Sequence, residues 1–256
     1  LYTLLCHTSG YALDLPNKEG RYAHGLEWTK LAQECLTTAP IHNTNQQVQY
    51  SNLGYGILGI IIERLTGLVF SDAIQRLVLR PLGVAGMFGD PGTSQVATIA
   101  DVRGAHRGTD LETFNSSFWR SLALPWGGLC TNAAGALTLA DAFLPHTSFL
   151  SHTTKQRAIT NSTAELSGGF MHPLLWQPCP WGLGPELRGS KHPHWMAPCW
   201  PIHSFGHSGS SGMLVWADPD NLFRMVILGA KVADGGWLLR HAPKMSEILW
   251  NEIVSR

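Results

Sequence analysis

Tyr50-Ser51-Asn52-Leu53-Gly54-Tyr55-Gly56-Ile57-Leu58-Gly59-Ile60-Ile61-Ile62-Glu63, closing at Thr66-Gly67, is the stretch that decides the fold. Leu53, Ile57, Ile61 and Leu65 recur every four residues, with Leu58 and Ile62 beside them, which is the spacing of a helix's apolar face. The spacing predicts a helix from Leu53 onward that Gly67 stops. Directly ahead of it, an extended Tyr50-Ser51-Asn52 would project the Tyr50 and Asn52 side chains to one side. A phenol and an amide facing one site suit acyl transfer: a phenol whose pKa is lowered by a nearby cation relays a proton, and an amide holds the acyl substituent. Taken alone, the tripeptide reads more simply as a core tyrosine followed by a helix N-cap at Ser51 or Asn52.

Working outward, a second helix is expected from about Asn132 to Leu144, capped by Thr131 or Asn132, with Ala133, Leu137, Ala140 and Leu144 as its stripe. A third is expected from Pro243, which a first turn tolerates, to Val254, carried by Met245, Ile248, Leu249 and Ile253. Between them, two apolar β-prone runs, Gly212 to Asp218 and Leu222 to Gly229, are joined by Asp218-Pro219-Asp220-Asn221, the pattern of a β-hairpin. Residues 90–126 and 145–201 are rich in Pro, Gly, His and Trp without sustained periodicity and read as long loops with short helices. Together these predict an α+β class: an antiparallel sheet flanked by helices, plus a mostly helical region. Residues 1–200 form the helical and loop part, residues 201–256 the strands and closing helix, in one interleaved domain.

At 256 residues the chain can bury a substantial core. A formal net charge of +0 with 14% charged residues carries no phosphate-seeking surface, so nucleic acid is not an expected partner. The longest apolar stretch, Ile57 to Ile62, ends at Glu63 and Arg64, far short of the roughly 20 residues a bilayer-spanning helix needs. Leu1 to Cys6 carries no basic flank or cleavage site of a signal peptide. Cys6, Cys35, Cys130, Cys179 and Cys199 show no zinc-type spacing. A disulfide between Cys179 and Cys199 would staple the Pro/Trp-rich loop between them, and the sequons Asn115-Ser116-Ser117 and Asn161-Ser162-Thr163 point with it toward a secretory route.

Two further segments invite chemistry. Phe205-Gly206-His207-Ser208-Gly209-Ser210-Ser211-Gly212 precedes an apolar strand, and its glycines would let backbone approach a ligand. Leu4-Leu5-Cys6-His7-Thr8-Ser9-Gly10 holds a His and a Ser, but adjacent residues do not make a catalytic triad, and a Gly-terminated helix end accounts for them. His192, His194, Cys199, His203 and His207 crowd together, yet the interleaved prolines and glycines exclude a helical His pair, so no metal and no cofactor are expected. Tryptophans between Trp176 and Trp200 suggest an apolar wall for a bulky acyl or ester group.

Taken together and in order, these segments resemble the class C β-lactamase and penicillin-binding-protein family, esterase, peptidase and acyltransferase relatives included. The Leu4–Gly10 segment, Tyr50-Ser51-Asn52 leading into its helix, Pro81-Leu82-Gly83, Gly127-Gly128-Leu129-Cys130-Thr131, His207-Ser208-Gly209 and Asp218-Pro219 all match its landmarks. Gly135 departs from the pattern, where the family has an acidic residue. The resemblance implies a β-lactamase/transpeptidase-like fold and an acyl-enzyme acting on a small-molecule acyl, ester or amide substrate. It implies Tyr50 as proton relay, Asn52 as substrate-amide contact, His207 as the polar group opposite Tyr50, the Ser210 N–H as an oxyanion donor, and Ser208 and Gly209 as substrate-binding neighbours.

The nucleophile implied by the resemblance is the serine of a Ser-x-x-Lys helix, and no serine here has a lysine three residues on. Ser151 has Lys155 at four and Thr153 has it at two. In the family that helix lies upstream of the Leu-Leu-x-His-Thr-Ser-Gly segment. The readings left are a truncated sequence, an N-terminal segment that acts as a separate chain, or a relative that has lost the motif and only binds. On its own, this chain is expected to be inactive.

Overall fold

The structure, a computed structural model, describes residues 1–16, 27–92 and 95–254. Its helices run in chain order as α1 (Tyr2–Leu5), α2 (Trp28–Thr37), α3 (Asn52–Thr66), α4 (Phe70–Ile74), α5 (Arg80–Leu82), α6 (Ser117–Ser121), α7 (Ala133–Asp141), α8 (His152–Ile159) and α9 (Trp237–Val254), with a π-helical turn, Gln75–Leu79, joining α4 to α5. The strands are β1 (Val48–Gln49), β2 (Gly86–Phe88), β3 (Leu129–Thr131), β4 (Gly168–Gly169), β5 (Leu175–Trp176), β6 (Glu186–Leu187), β7 (Phe205–Gly209), β8 (Met213–Asp218) and β9 (Phe223–Leu228).

The helix read from the sequence forms as α3. Ser51 caps it, its Oγ accepting the Gly54 N–H at 3.0 Å, and Gly67 ends it at φ +69°. Leu53 and Ile60 bury against Leu31 and Cys35 of α2 and against Trp119, Leu122 and Leu124. Glu63, at the far end of the motif, ties three elements: its Oε1 accepts the Trp28 indole N–H at 3.0 Å and the Phe70 N–H at 2.9 Å. The expected second helix is α7, capped by Asn132, whose Oδ1 accepts the Gly135 N–H at 2.9 Å.

The hairpin is β8–β9, pairing Met213 with Leu228 through Asp218 with Phe223, inside an antiparallel sheet of order β6-β7-β8-β9. Alternation along these strands serves two faces, as the two-residue period requires. Leu214, Trp216, Met225 and Ile227 face Leu238 and Ala242 of α9 and the loop residues Trp195, Met196 and Trp200. Phe205, Leu187 and Ala217 face Ala140 of α7 and Leu144. Each large apolar side chain sealed this way contributes about 1.5–3 kcal/mol. At the sheet's outer edge β9 leaves Leu228 exposed, and α9 exposes Met245, Ile248 and Leu249.

The third expected helix begins six residues earlier than its sequence pattern, at Trp237, and carries Pro243 in its interior. Proline there removes one intrahelical hydrogen bond. Leu238 and Ala242, both fully buried, supply the packing that extends the helix upstream of the proline. The proposed disulfide does not form: all five cysteines are free thiols, Cys179 buried and Cys199 exposed.

Candidate active site

Two short pairings set the position of Tyr50. Strand β1 lies parallel to β4, Val48 opposite Gly168, and the Tyr50 N–H continues the ladder by donating to the Gly169 carbonyl at 3.0 Å. Gly168 sits at φ +139°, and a Cβ there would lie 1.9 Å from the Val48 oxygen, so the approach needs glycine. On the far side of the chain reversal, Ser51 accepts at α3 and donates its hydroxyl to the Ala12 carbonyl at 2.7 Å.

His207, 157 residues further on, is carried by β7 opposite Val215 of β8. The Tyr50 hydroxyl and His207 Nε2 lie 3.4 Å apart, and both residues are half-buried. The two side chains that the sequence placed on opposite sides of one cleft therefore meet. Asn52 is held by a carboxylate on the same side: its Nδ2 donates to Asp14 Oδ2 at 3.3 Å, and Asp14 is near enough to act on the Tyr50 phenol. Ser208 and Gly209 complete β7, and Ser210 starts the exposed turn to β8, where its carbonyl accepts the Ala233 N–H at 2.9 Å.

Gly206 does a different job from the one expected of this segment's glycines. A Cβ on Gly206 would lie 2.4 Å from the Trp216 ring, so Gly206 admits a core tryptophan and not a ligand. Gly209 has room for a Cβ, whose first neighbour would be Met213 at 3.7 Å.

The electrostatics also depart from expectation. Burial raises the Tyr50 phenol above its ordinary value, and the carboxylates of Glu186 and Asp14 raise it further. The depression by a cation that a proton relay calls for is not present within these residues. Burial lowers the His207 imidazole, against the opposing pull of Glu186, so at neutral pH it faces Tyr50 as a neutral ring.

His7 is the residue whose role sequence reasoning missed. It is 1% exposed, sits at φ +60°, and its Nδ1 accepts the Ser51 N–H at 3.1 Å, which fixes the backbone between Tyr50 and Asn52. Its ring lies 4.4 Å from that of Tyr50, 5.1 Å from Tyr55 and 4.8 Å, edge to face, from Trp181. Burial drives its pKa far below the ordinary histidine value, and Nε2 has no hydrogen-bond partner among the described residues. Its isolated sequence signal, a His-Thr-Ser-Gly run, carried no information about the 44-residue jump to Ser51.

The Pro/Trp-rich loop is packed inward. Trp176, Trp181, Trp195 and Trp200 are at most 6% exposed, so their rings build core, although Trp176 also borders an open cavity beside Val48 and Gly168. Arg188 knots the loop by donating to the carbonyls of Gly189, Lys191 and Ala197. The clustered histidines separate: His194 goes to Glu186, His207 to Tyr50, and His203 to Asp220. Among the described residues, His203, Asp218 and Asp220 are the set close enough to share a cation, at the hairpin turn, where Asp218 already accepts from the Asp220 N–H and from Asn221. Lys155, the lysine nearest to a Ser-x-x-Lys spacing, is buried and donates to the carbonyls of Leu144, Pro145 and Thr147 beyond the end of α7.

Comparison with known proteins gives the family and the fold. The Beta-lactamase family model matches residues 1–236. A beta-lactamase of Providencia stuartii is 26% identical over 196 residues, covering 73% of this chain and 47% of that protein. Penicillin-binding protein 4 of Amycolatopsis lactamdurans is 27% identical over 217 residues, covering 82% and 52%. The chain thus spans about half the length of the curated relatives it matches. Among solved structures, a beta-lactamase from Mycobacterium bovis superposes with a TM-score of 0.72 at 25% identity, covering 98% of this chain and 73% of that one. The fold is shared by EstCE1, a hydrolase with promiscuous acyltransferase activity, at a TM-score of 0.70 and 18% identity, covering 93% of this chain and 70% of that one. On a match that runs through the Tyr50 motif and the His207 strand alike, the chain belongs to the Beta-lactamase family.

Proposed function

We propose that these residues form part of a serine-dependent hydrolase or acyltransferase that acts on an amide or ester through an acyl-enzyme, and that its nucleophile is supplied by a Ser-x-x-Lys segment outside the 256 residues. The observation that carries the reading is the 3.4 Å approach of the Tyr50 hydroxyl to His207 Nε2. In this reading the serine attacks the acyl carbon, Tyr50 passes its proton to the leaving group, and His207 holds the phenol from the strand side. The backbone N–H of Ser210 stabilises the developing oxyanion. The incoming lysine supplies the positive charge that the Tyr50 phenol lacks here, bringing its pKa down toward the working range. Asn52 contacts the substrate amide once it is released from Asp14. The partner that completes the site is the protein's own N-terminal segment, in the same chain or as a separate one.

Ester hydrolysis by the complete protein tests the reading. Tyr50→Phe should slow acylation by about two or more orders of magnitude, and unchanged turnover would remove Tyr50 from the mechanism.

A second reading, a β-lactamase-like protein that binds without chemistry, draws on the raised Tyr50 phenol and its carboxylate neighbours. Failure of the complete protein to form a covalent adduct with a fluorophosphonate or a labelled penicillin would favour it. Passage through the secretory route belongs to the same proposal. Asn161 is exposed and its amide bonds within its own turn, to Ala164 and Thr163, whereas Asn115 is half-buried and its amide is tied to Ile99 and Glu112.

A further inference from the structure

Beneath the Tyr50–His207 pair lies a charged cluster that the proposed chemistry does not use. Glu186 of β6 and Lys191 of the following loop are both fully buried, with Lys191 Nζ 2.8 Å from Glu186 Oε1. His194 Nε2 is 3.4 Å from the same oxygen, and its Nδ1 accepts the Met196 N–H at 3.0 Å. The Lys191 ammonium lies 4.8 Å from the centre of the Trp176 ring and 4.9 Å from that of Trp181. Trp181 is fully buried and is shared by the whole site: the rings of His7, Tyr50, Phe170 and His207 lie 4.8, 6.0, 6.0 and 6.1 Å from it. Strand β6 pairs directly with β7, Glu186 opposite Gly206, one residue from His207.

A buried ion pair is a poor device for stability alone, because removing two charges from water costs about as much as their attraction returns, and an apolar pair of the same shape serves as well. Two aromatic faces on one ammonium give it something else to do, which is to hold a ring in place. We propose that the Glu186–Lys191 pair, clamped on Trp181, is the positioning element that holds His207 opposite the Tyr50 hydroxyl. The inference rests on the reading of Tyr50 and His207 as site residues and adds the layer that orients them.

The charged and titratable groups facing His207 from the elements around it are Tyr50 ahead of α3, His7 after α1, Glu186 on β6 and Lys191 in the loop; its β8 neighbour is Val215. Glu186 favours the protonated His207 ring and Lys191 opposes it, so the two have opposite signs at the same atom.

That opposition supplies the test. In the 256-residue chain, the His207 imidazole is titrated by NMR in Glu186→Gln, Lys191→Met and the double variant. The midpoint should move down in Glu186→Gln and up in Lys191→Met, whereas a purely structural disturbance would move both the same way. The double variant strands no charge and covers the case in which a single variant does not fold. Its midpoint should move down, since Glu186 is the stronger of the two influences. In the complete enzyme the double variant should lose about tenfold or more in kcat with KM within about twofold, as misplacement of a reacting group does. Shifts of the same sign in the single variants, an unmoved midpoint in the double variant, or wild-type kcat in it would overturn the proposal. The titration needs no turnover, so an inactive complete protein with opposite midpoint shifts would count against the catalytic reading and leave the positioning layer standing.

Discussion

Replacing His7 separates what its nitrogen does from what its ring does. His7→Ala removes the acceptor of the Ser51 N–H, and Ser51 is fully buried, so that donor is left unpaired at a cost of about 1–3 kcal/mol. It also empties the space between Tyr50, Tyr55 and Trp181, which by the scale of large-to-small core changes costs about 2 kcal/mol more. The total is about 3–5 kcal/mol, a large share of a domain's stability. His7→Asn is the informative partner, because an asparagine amide oxygen occupies roughly the place of Nδ1 and asparagine accepts the φ of +60°. It should lose only the packing, about 2 kcal/mol. Urea unfolding of the 256-residue chain at pH 8 measures both from the transition midpoints. Ala and Asn variants of equal stability, within about 0.5 kcal/mol of each other, would refute the assignment of the Ser51 hydrogen bond, as typical surface substitutions fall within that margin.

Other outcomes follow from the same contacts. Burial holds His7, His194 and His207 below the ordinary histidine value. The unfolded chain therefore binds protons that the folded chain refuses, and stability should fall as pH drops below about 6.5, by up to about 1.4 kcal/mol per pH unit for each ring. Glu186, which burial pushes up but Lys191 and His194 bring down to about 2, adds a second loss between the ordinary glutamate value and that one. Urea midpoints that stay flat from pH 8 to 5 would contradict this, and His7→Asn should shallow the first fall. Gly206→Ala puts a Cβ 2.1 Å from the Val215 carbonyl and into Trp216, and should cost about 3 kcal/mol; a variant as stable as the parent would show that β7 is not held as described. Expressed through a secretory route, the chain should carry a glycan at Asn161 and not at Asn115, read as a mass shift on glycosidase treatment that Asn161→Gln abolishes.

What the sequence made legible was local. The α3 helix, its Ser51 cap and its Gly67 stop are written in neighbouring residues, and so is the β8–β9 hairpin. The Tyr50–His207 pair was legible only through the ordered set of motifs, since nothing local joins residues 157 apart. The start of α9 escaped because Pro243 suggests a first turn, while the burial of Leu238 and Ala242 that carries the helix past it belongs to the sheet. The tryptophan loop was misread for a related reason. Composition shows that Trp176 to Trp200 is aromatic, but the direction those rings face is set by the buried Arg188 knot and by Ser246 of α9, which accepts the Trp200 indole N–H on its carbonyl and the Ala197 N–H on its hydroxyl. The raised pKa of Tyr50 followed the same rule: its carboxylate neighbours, Glu186 and Asp14, come from distant segments.

The central claim, that these residues receive an acyl-serine from outside themselves, is tested most directly by fluorophosphonate labelling followed by peptide mass spectrometry, on the complete protein and on the 256-residue chain side by side. The account predicts a stoichiometric adduct in the complete protein, on the serine of a Ser-x-x-Lys segment, formed about a hundredfold more slowly in Tyr50→Phe, and no adduct on the 256-residue chain. A stoichiometric adduct on any serine between Ser9 and Ser255 would contradict it.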